Sequence, residues 1–399
     1  MVTNARKGAT DYPVELLLIS QLFYPELVST GQTLTEICEV LSEKGVKIEV
    51  LCGHPTLVSQ KRVKRKMTYK GITIKRVFST RFPKIFFWGK LINHITFTVS
   101  IFLRLLFAKK NRPIIVLTNP PFLAFVCALA KKIRGLKLVY LIFDVYPETA
   151  IKCGLLNESG FIAKTWKACN QFIFANSEKI IVIGRCMQSV IKKQVPANQH
   201  HKITYIHMWC DDPAIQKSFQ SENPFAKKWG LRKKNTLMYS GNMGRFHDME
   251  SIMEAARILQ TNEKFEFVFV GEGHKKKAAM TFAKTHGLKN CQFHSYVSRK
   301  QLGHLLASAD VGLVSLLPSQ EGLSVPSKSF GLMAAGTPIL GILPEKSEIS
   351  LIVKAEGCGW IVPPRQPKKL ARVISEIFED PVILKDKGLN GKIAIKKTY

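Results

Sequence analysis

Short, almost wholly apolar runs recur along this chain of 399 residues, each closed by a turn and most followed by an amphipathic stretch. That alternation constrains the fold more than any other feature. The runs at 14–20, 46–51, 114–117, 137–143, 179–183, 203–206, 236–240, 265–270, 292–294, 309–317 and 339–343 have strand length. They are rich in valine, isoleucine, leucine and phenylalanine, as strands covered on both faces are. Between the first two, Leu34, Ile37, Cys38 and Leu41 keep i, i+3, i+4, i+7 spacing, and Gly45 ends the helix they predict. Strand, loop, helix and strand make a βαβ unit. The length suffices for two such α/β domains, each with a sizeable core.

In open α/β folds ligands bind at the carboxyl ends of the strands, so the loops there carry the candidate chemistry. Asp144-Val145-Tyr146-Pro147-Glu148 leaves a strand with two carboxylates, which suit a pocket or an ordinary turn and helix start. Gly241-Asn242-Met243-Gly244-Arg245-Phe246-His247-Asp248 joins a strand to a helix. It is an anion site or a plain tight turn with an exposed arginine. Glu321 to Pro338, EGLSVPSKSFGLMAAGTP, supplies a carboxylate, a Ser-Val-Pro-Ser turn, Lys328 and a small-residue helix ending at Gly336. Helix-start N–H groups beside a lysine favour an anion, and Glu321 is placed to accept hydrogen bonds from sugar hydroxyls. Anion plus polyol describes a nucleotide sugar. The plain alternative is close helix packing and a surface glutamate.

The charge balance adds to this. Against 59 lysines and arginines stand 29 acidic residues, leaving +30, which attracts nucleic acid, an anionic bilayer or phosphorylated substrates. From Lys61 to Lys90 there are eleven basic residues and no acidic one. Residues 85–108 follow, heavily apolar and aromatic. On a helix, Lys90, Asn93, Thr96, Ser100 and Arg104 would form one polar stripe beside a broad apolar face. Gly89-Lys90, Asn93-His94 and Arg104 interrupt the ~20 apolar residues that a spanning helix needs. A helix buried between layers and one lying in the membrane interface both fit; the adjoining basic run favours the interface. The nine cysteines show no metal-ligand spacing and read as reduced core residues of a cytosolic protein. No metal or cofactor is expected. The first residues carry Asp11 and Glu15 and do not read as a signal peptide.

The stretch from Glu321 to Pro338 resembles the donor-site signature of the family-4 glycosyltransferases of the GT-B fold. That signature is a glutamate, seven residues and a second glutamate, running into a Met-Ala-small-Gly-x-Pro helix end. Glu321 matches the first glutamate and Met333-Ala334-Ala335-Gly336-Thr337-Pro338 the helix end. The second glutamate, which in the family holds the nucleotide ribose, is absent. Its place is Ser329 counted from Glu321 and Gly331 counted back from Met333.

The resemblance implies an α/β chain of GT-B architecture, two Rossmann-like doubly wound domains facing a central cleft. It implies an arm at 1–13, an acceptor-binding domain at 14–208 and a nucleotide-sugar-binding domain at 209–378. A last segment, 379–399, is expected to return towards the first domain. Gly31 would face the donor, Asp144 would lie near the reacting sugar, and Gly271-Glu272-Gly273, Tyr296 and Val297 would line the nucleotide. The family sets an arginine and a lysine five apart after the Gly241 turn; here those places hold Asn242 and His247, with Arg245 next to Gly244 between them. The diphosphate then falls to Arg245, His247 and Lys328, with Ser324, Ser327 and Ser329 around the lysine. Arg245 is favoured over His247 because a guanidinium keeps its charge and binds phosphate bidentately. Arg185 is a candidate on the acceptor side.

The expected function is therefore sugar transfer from a nucleotide diphosphate sugar, taken as a UDP-sugar, to a lipid-linked or saccharide acceptor. Transfer of a hexosyl or N-acetylhexosaminyl group is expected, retaining and metal-independent, with Glu321, Asp144 and Arg245 as the catalytic group. The expected setting is polysaccharide or glycolipid assembly, peripheral on the inner face of a membrane through the 61–108 region. A nucleotide-sugar epimerase on the same scaffold is the nearest alternative. A nucleic-acid-binding protein is another, but no RNP, zinc-finger or helix-turn-helix pattern accompanies the charge.

Overall fold

A computed structural model describes residues 15–26, 29–55, 63–82, 87–210, 215 and 223–399. The expected arm at 1–13, together with Lys61, Arg62 and Lys84 of the basic run, lies outside the described residues. The chain divides into two units. The first holds the described residues up to Phe143, Ser159–Ile181 and Gln194–Thr204; the second holds Asp144–Glu158, Val182–Lys193 and Tyr205–Tyr399.

The first sheet contains β1 (Glu15–Ser20), β2 (Lys47–Cys52), β3 (Lys66–Tyr69), β4 (Ile72–Arg76), β5 (Pro113–Leu117), β6 (Lys137–Ile142), β7 (Lys179–Val182) and β8 (Ile203–Tyr205). Their order is β3-β4-β2-β1-β5-β6-β7-β8. β4, β2, β1, β5 and β6 run parallel. β3 is an antiparallel edge on β4. Sequence reading missed this hairpin because charge masks its alternation. Lys75 pairs with Glu49 at 2.7 Å and Lys70 with Glu39 at 2.6 Å. Arg76 is buried, donating to Gly53 O at 3.2 Å and Tyr24 O at 2.8 Å. Part of the basic run is thus framework, while Lys64, Arg65, Lys66 and Arg81 remain exposed.

The helix Phe87–Leu105 departs from the polar stripe expected of it. Its inward face is Asn93, Phe97, Ile101 and Leu105, all buried. Asn93 is spent on the preceding loop, its Oδ1 accepting from Phe82 N at 3.0 Å and its Nδ2 donating to Phe82 O at 2.9 Å. Trp88, Leu91, Ile92, Ile95, Val99 and Leu103 point outward, Trp88 being 70% exposed and Leu103 55%. Among the described residues no helix is long and apolar enough to cross a membrane.

The second sheet contains β9 (Asn235–Ser240), β10 (Phe265–Val270), β11 (Cys291–His294), β12 (Val311–Ser315), β13 (Ile339–Ile342) and β14 (Gly359–Val362). They are all parallel, in the order β11-β10-β9-β12-β13-β14. Every residue of β10 and β12 is buried, so apart from Glu266 and Ser315 these strands read as apolar runs. Alternate side chains serve opposite faces. Leu237, Tyr239, Phe267 and Phe269 pack with Ile252, Leu370 and Ile374 of the helices Met249–Ile258 and Pro367–Ile377. Met238, Val268 and Val270 pack with Phe225 and Leu305 on the other face. Each such buried Leu, Ile or Phe is worth roughly 1.5–3 kcal/mol of transfer free energy.

The segment 379–399 carries the helix Pro381–Lys397, which packs on the helix Lys328–Ala335 of the second unit. Glycine allows this approach: a Cβ on Gly388 would run into Gly336 O.

Candidate functional site

The order of the second sheet reverses between β9 and β12, and such switch points open a crevice beyond the carboxyl ends of the strands. The turn after β9 and the turn after β10 are laced together by backbone. Gly241 N donates to Val270 O at 2.8 Å, Met243 N to Glu272 O at 2.8 Å and Lys275 N to Met243 O at 2.9 Å. Glycine is required at Gly271 and Gly273, with φ of +137° and +147°. A Cβ at Gly271 would meet Gly241 O, and one at Gly273 would stand 2.5 Å from Met243 O. Lys276 ties the second turn down, donating to Gly271 O at 2.8 Å and pairing with Glu272 at 2.8 Å.

Across the switch point, Lys328 opens the helix Lys328–Ala335 and reaches beneath the first turn. Its Nζ is buried without a hydrogen-bond partner among the described residues and lies 3.6 Å from the centroid of the Tyr239 ring. Burial pushes the amine down to about 7. Tyr239 in turn donates its hydroxyl to Asn242 O at 2.9 Å, fixing the turn above the lysine.

His247 differs from the cation expected of it. Its Nδ1 lies 2.6 Å from Ser315 O, and facing a carbonyl that nitrogen must be the donor. Burial, then the neighbouring Lys328 and Lys275, push the imidazole down to about 3. His247 is a neutral brace between β12 and the turn. Arg245 by contrast is exposed and has no carboxylate partner among the described residues.

Glu321 lies half-buried at the end of a one-turn helix, Pro318–Gln320. The loop beyond it is held by the segment after β6: Val145 N donates to Leu323 O at 2.9 Å, and Asp144 forms an isolated bridge with Ser324. The structure thus brings Asp144 and the Glu321 loop together, and burial pushes the Asp144 carboxyl up to about 6. Ser329 is turned inward, fully buried with its hydroxyl donated to Pro326 O at 2.9 Å. Ser327 is half-buried at the helix start. Tyr296 is 57% exposed beside Gly271, while Val297 packs on the core. Gly244 sits within the first turn against Asn242. Gly31 belongs to the first unit, in the helix Ser29–Glu43, where its carbonyl accepts from Thr35 Oγ1 at 2.7 Å.

Arg185 is not a free acceptor-side cation. Its Nε donates to Glu348 Oε1 at 2.9 Å, and the same oxygen accepts from Tyr205 OH at 2.9 Å. Sequence reading passed over Glu348, Tyr239 and Ser315, because each acts through a partner distant in the chain. Among the described residues no group of three or more His, Cys, Asp or Glu is arranged to hold a metal ion.

The sequence profile described as Glycosyl transferases group 1 matches residues 221–392. A Pseudomonas aeruginosa protein named as glycosyltransferase WbjE is 32% identical over 276 residues, spanning 68% of this chain and 67% of that one. The chain belongs to the group 1 glycosyltransferases. This glycosyltransferase is also 25% identical over 338 residues to Escherichia coli K12 WcaI, named for a glycosyl transferase of colanic acid biosynthesis. That match covers 81% of this chain and 82% of WcaI. In fold it is similar to Anabaena Alr3699/HepE, solved with UDP and glucose, at a TM-score of 0.71 and 14% identity over 97% of this chain and 95% of that one. The expected GT-B architecture of two Rossmann-like α/β domains is the fold observed.

Proposed function

We propose that this glycosyltransferase moves a sugar from a nucleotide diphosphate sugar, a UDP-sugar, to a lipid-linked or saccharide acceptor in surface polysaccharide assembly. The observation that carries the reading is the buried Nζ of Lys328, unpartnered among the described residues, beneath the glycine turn at the switch point. Such a nitrogen is costly to leave unmatched, and an anion with several acceptor oxygens matches it. UDP in the structure of HepE, and the naming of WcaI for colanic acid biosynthesis, support the donor and the setting.

In this reading Arg245 and Lys328 stabilise negative charge on the departing diphosphate, assisted by the N–H groups of the helix start. Glu321 accepts hydrogen bonds from the transferred sugar, and Asp144 lies by the reacting centre. Tyr296 and the Gly271-Glu272-Gly273 turn bound the nucleotide, with Asn242, Gly244 and Ser324 shaping the walls. With Ser329 turned inward, the ribose is held by another group than the family's second glutamate. Transfer of a hexosyl or N-acetylhexosaminyl group with retention, without a metal, completes the proposal. Incubation with a panel of nucleotide sugars, scoring released nucleoside diphosphate, tests it. One sugar should be turned over and Glu321→Ala should abolish its turnover, whereas unchanged turnover in the variant removes Glu321 from the site.

The same proposal places the enzyme on an anionic membrane surface, peripheral to the inner face. The outward residues of the helix Phe87–Leu105 offer apolar contact, with Phe78, Phe82 and Phe107 exposed nearby. Arg81, Lys90 and Arg104 supply positive charge beside them. Apolar insertion and attraction to anionic headgroups, about 1 kcal/mol per basic residue, act together there.

A further inference from the structure

We propose that donor binding is coupled to proton uptake at Lys328: the amine takes a proton from water as the diphosphate reaches it, and returns it when the nucleoside diphosphate leaves. This rests on the donor reading above and adds how the site handles charge.

The geometry is that of a cation poorly provided for. An ammonium group has three donors to satisfy, and Lys328 Nζ satisfies none of them among the described residues. The π face of Tyr239 beneath it compensates only part of a full charge. Its stem lies against backbone on the other side, where a Cβ on Gly241 would stand 3.3 Å from Cε and 3.4 Å from Nζ.

The groups around it do not help. Tyr239 of β9 keeps its phenolic proton, held well above the usual range by burial. His247, from the turn, is neutral and braced on Ser315. Asp248, at the end of that turn, has its carboxylate occupied by the N–H groups of Ser251 and Arg365. Lys275 is paired with Glu250 and donates to His247 O. Burial therefore dominates at Lys328, and it favours the free amine.

A diphosphate against the same nitrogen reverses that balance. It supplies acceptor oxygens and an opposite charge in a dry setting, both of which favour the protonated form. Above about pH 7 the loaded site then holds one proton more than the unloaded one. Affinity should fall as the pH rises, by up to about tenfold per pH unit. At neutral pH a substantial fraction of the enzyme carries no charge at Lys328, so the cation is completed by the ligand it serves.

Calorimetric titration of the full chain with UDP, at about pH 8 in two buffers of different ionisation enthalpy, counts the protons. The terminal phosphate, with a second ionisation near 6, is already fully charged there. Close to one proton should enter per UDP bound. Lys328→Met should take up none and bind more weakly near neutrality. Lys328→Arg, permanently charged, should keep affinity while flattening its pH dependence. Binding of UDP by the native chain without proton uptake overturns the coupling and leaves the donor reading standing. Failure of UDP and of every other nucleoside diphosphate to bind, at any pH, overturns both. Should Lys328→Met fail to fold, the proton count of the native chain decides alone.

Discussion

Two residues show how the surroundings assign chemistry that residue type alone leaves open. Arg245 and His247 stand two positions apart in one turn, yet one is an exposed guanidinium and the other a half-buried, neutral imidazole. Arg245→Ala should therefore weaken UDP affinity roughly tenfold to a hundredfold, the worth of a charge-assisted contact of about 1.5–3 kcal/mol. Equilibrium titration checks this, and unaltered affinity would remove Arg245 from the diphosphate. Asp144 gives a pH signature of its own. Its carboxyl is raised from 3.8 to about 6, so between those values the folded protein holds a proton that the unfolded chain has lost. Its contribution to stability is present below about 4 and is lost as the pH rises through about 6. If its carboxylate serves the reaction, kcat/KM should rise with pH through about 6, and Asp144→Asn should abolish that acid limb. A limb that persists in the variant would assign it to another group.

At the scale of elements, the glycine turns and the apolar helix carry separate predictions. Gly271→Ala forces a side chain into the Gly241 carbonyl at a φ that favours glycine. It should lower stability by at least about 1–3 kcal/mol, read from the midpoint of denaturant unfolding, and should weaken UDP binding with it. The helix Phe87–Leu105 should behave in the opposite way. Ile95→Asp with Val99→Asp changes exposed positions, about half open to solvent at 51% each, so stability should shift by no more than about 0.5 kcal/mol at either site. Sedimentation with anionic liposomes should fall at least tenfold; undiminished sedimentation would mean the face contacts something else. That helix also marks where sequence reading fell short. Its length and greasiness were legible, but which stripe turned inward depended on Asn93 finding the Phe82 backbone. No periodicity encodes such a partner.

Across the whole molecule, the parallel architecture was legible because its strands are buried on both faces and so advertise themselves as apolar runs. The run at 265–270 coincides with β10, whereas the hairpin of β3 and β4 is one-third charged and stayed hidden. The candidate site was legible as glycines and cations at strand ends, and the strand order then gathered the turn after β9 and the loop after β12 at one switch point. The sequence did not disclose protonation. Nothing local distinguishes a lysine over a tyrosine ring from one in water, because the ring comes from a strand almost ninety residues earlier.

Hydrogen exchange of backbone amides with and without UDP tests the central claim, that the second unit grips a nucleoside diphosphate at its switch point. Protection should appear at 241–247, 271–273 and 324–330 and should be lost in Arg245→Ala. Protection confined to other parts of the chain, while UDP is demonstrably bound, would contradict it.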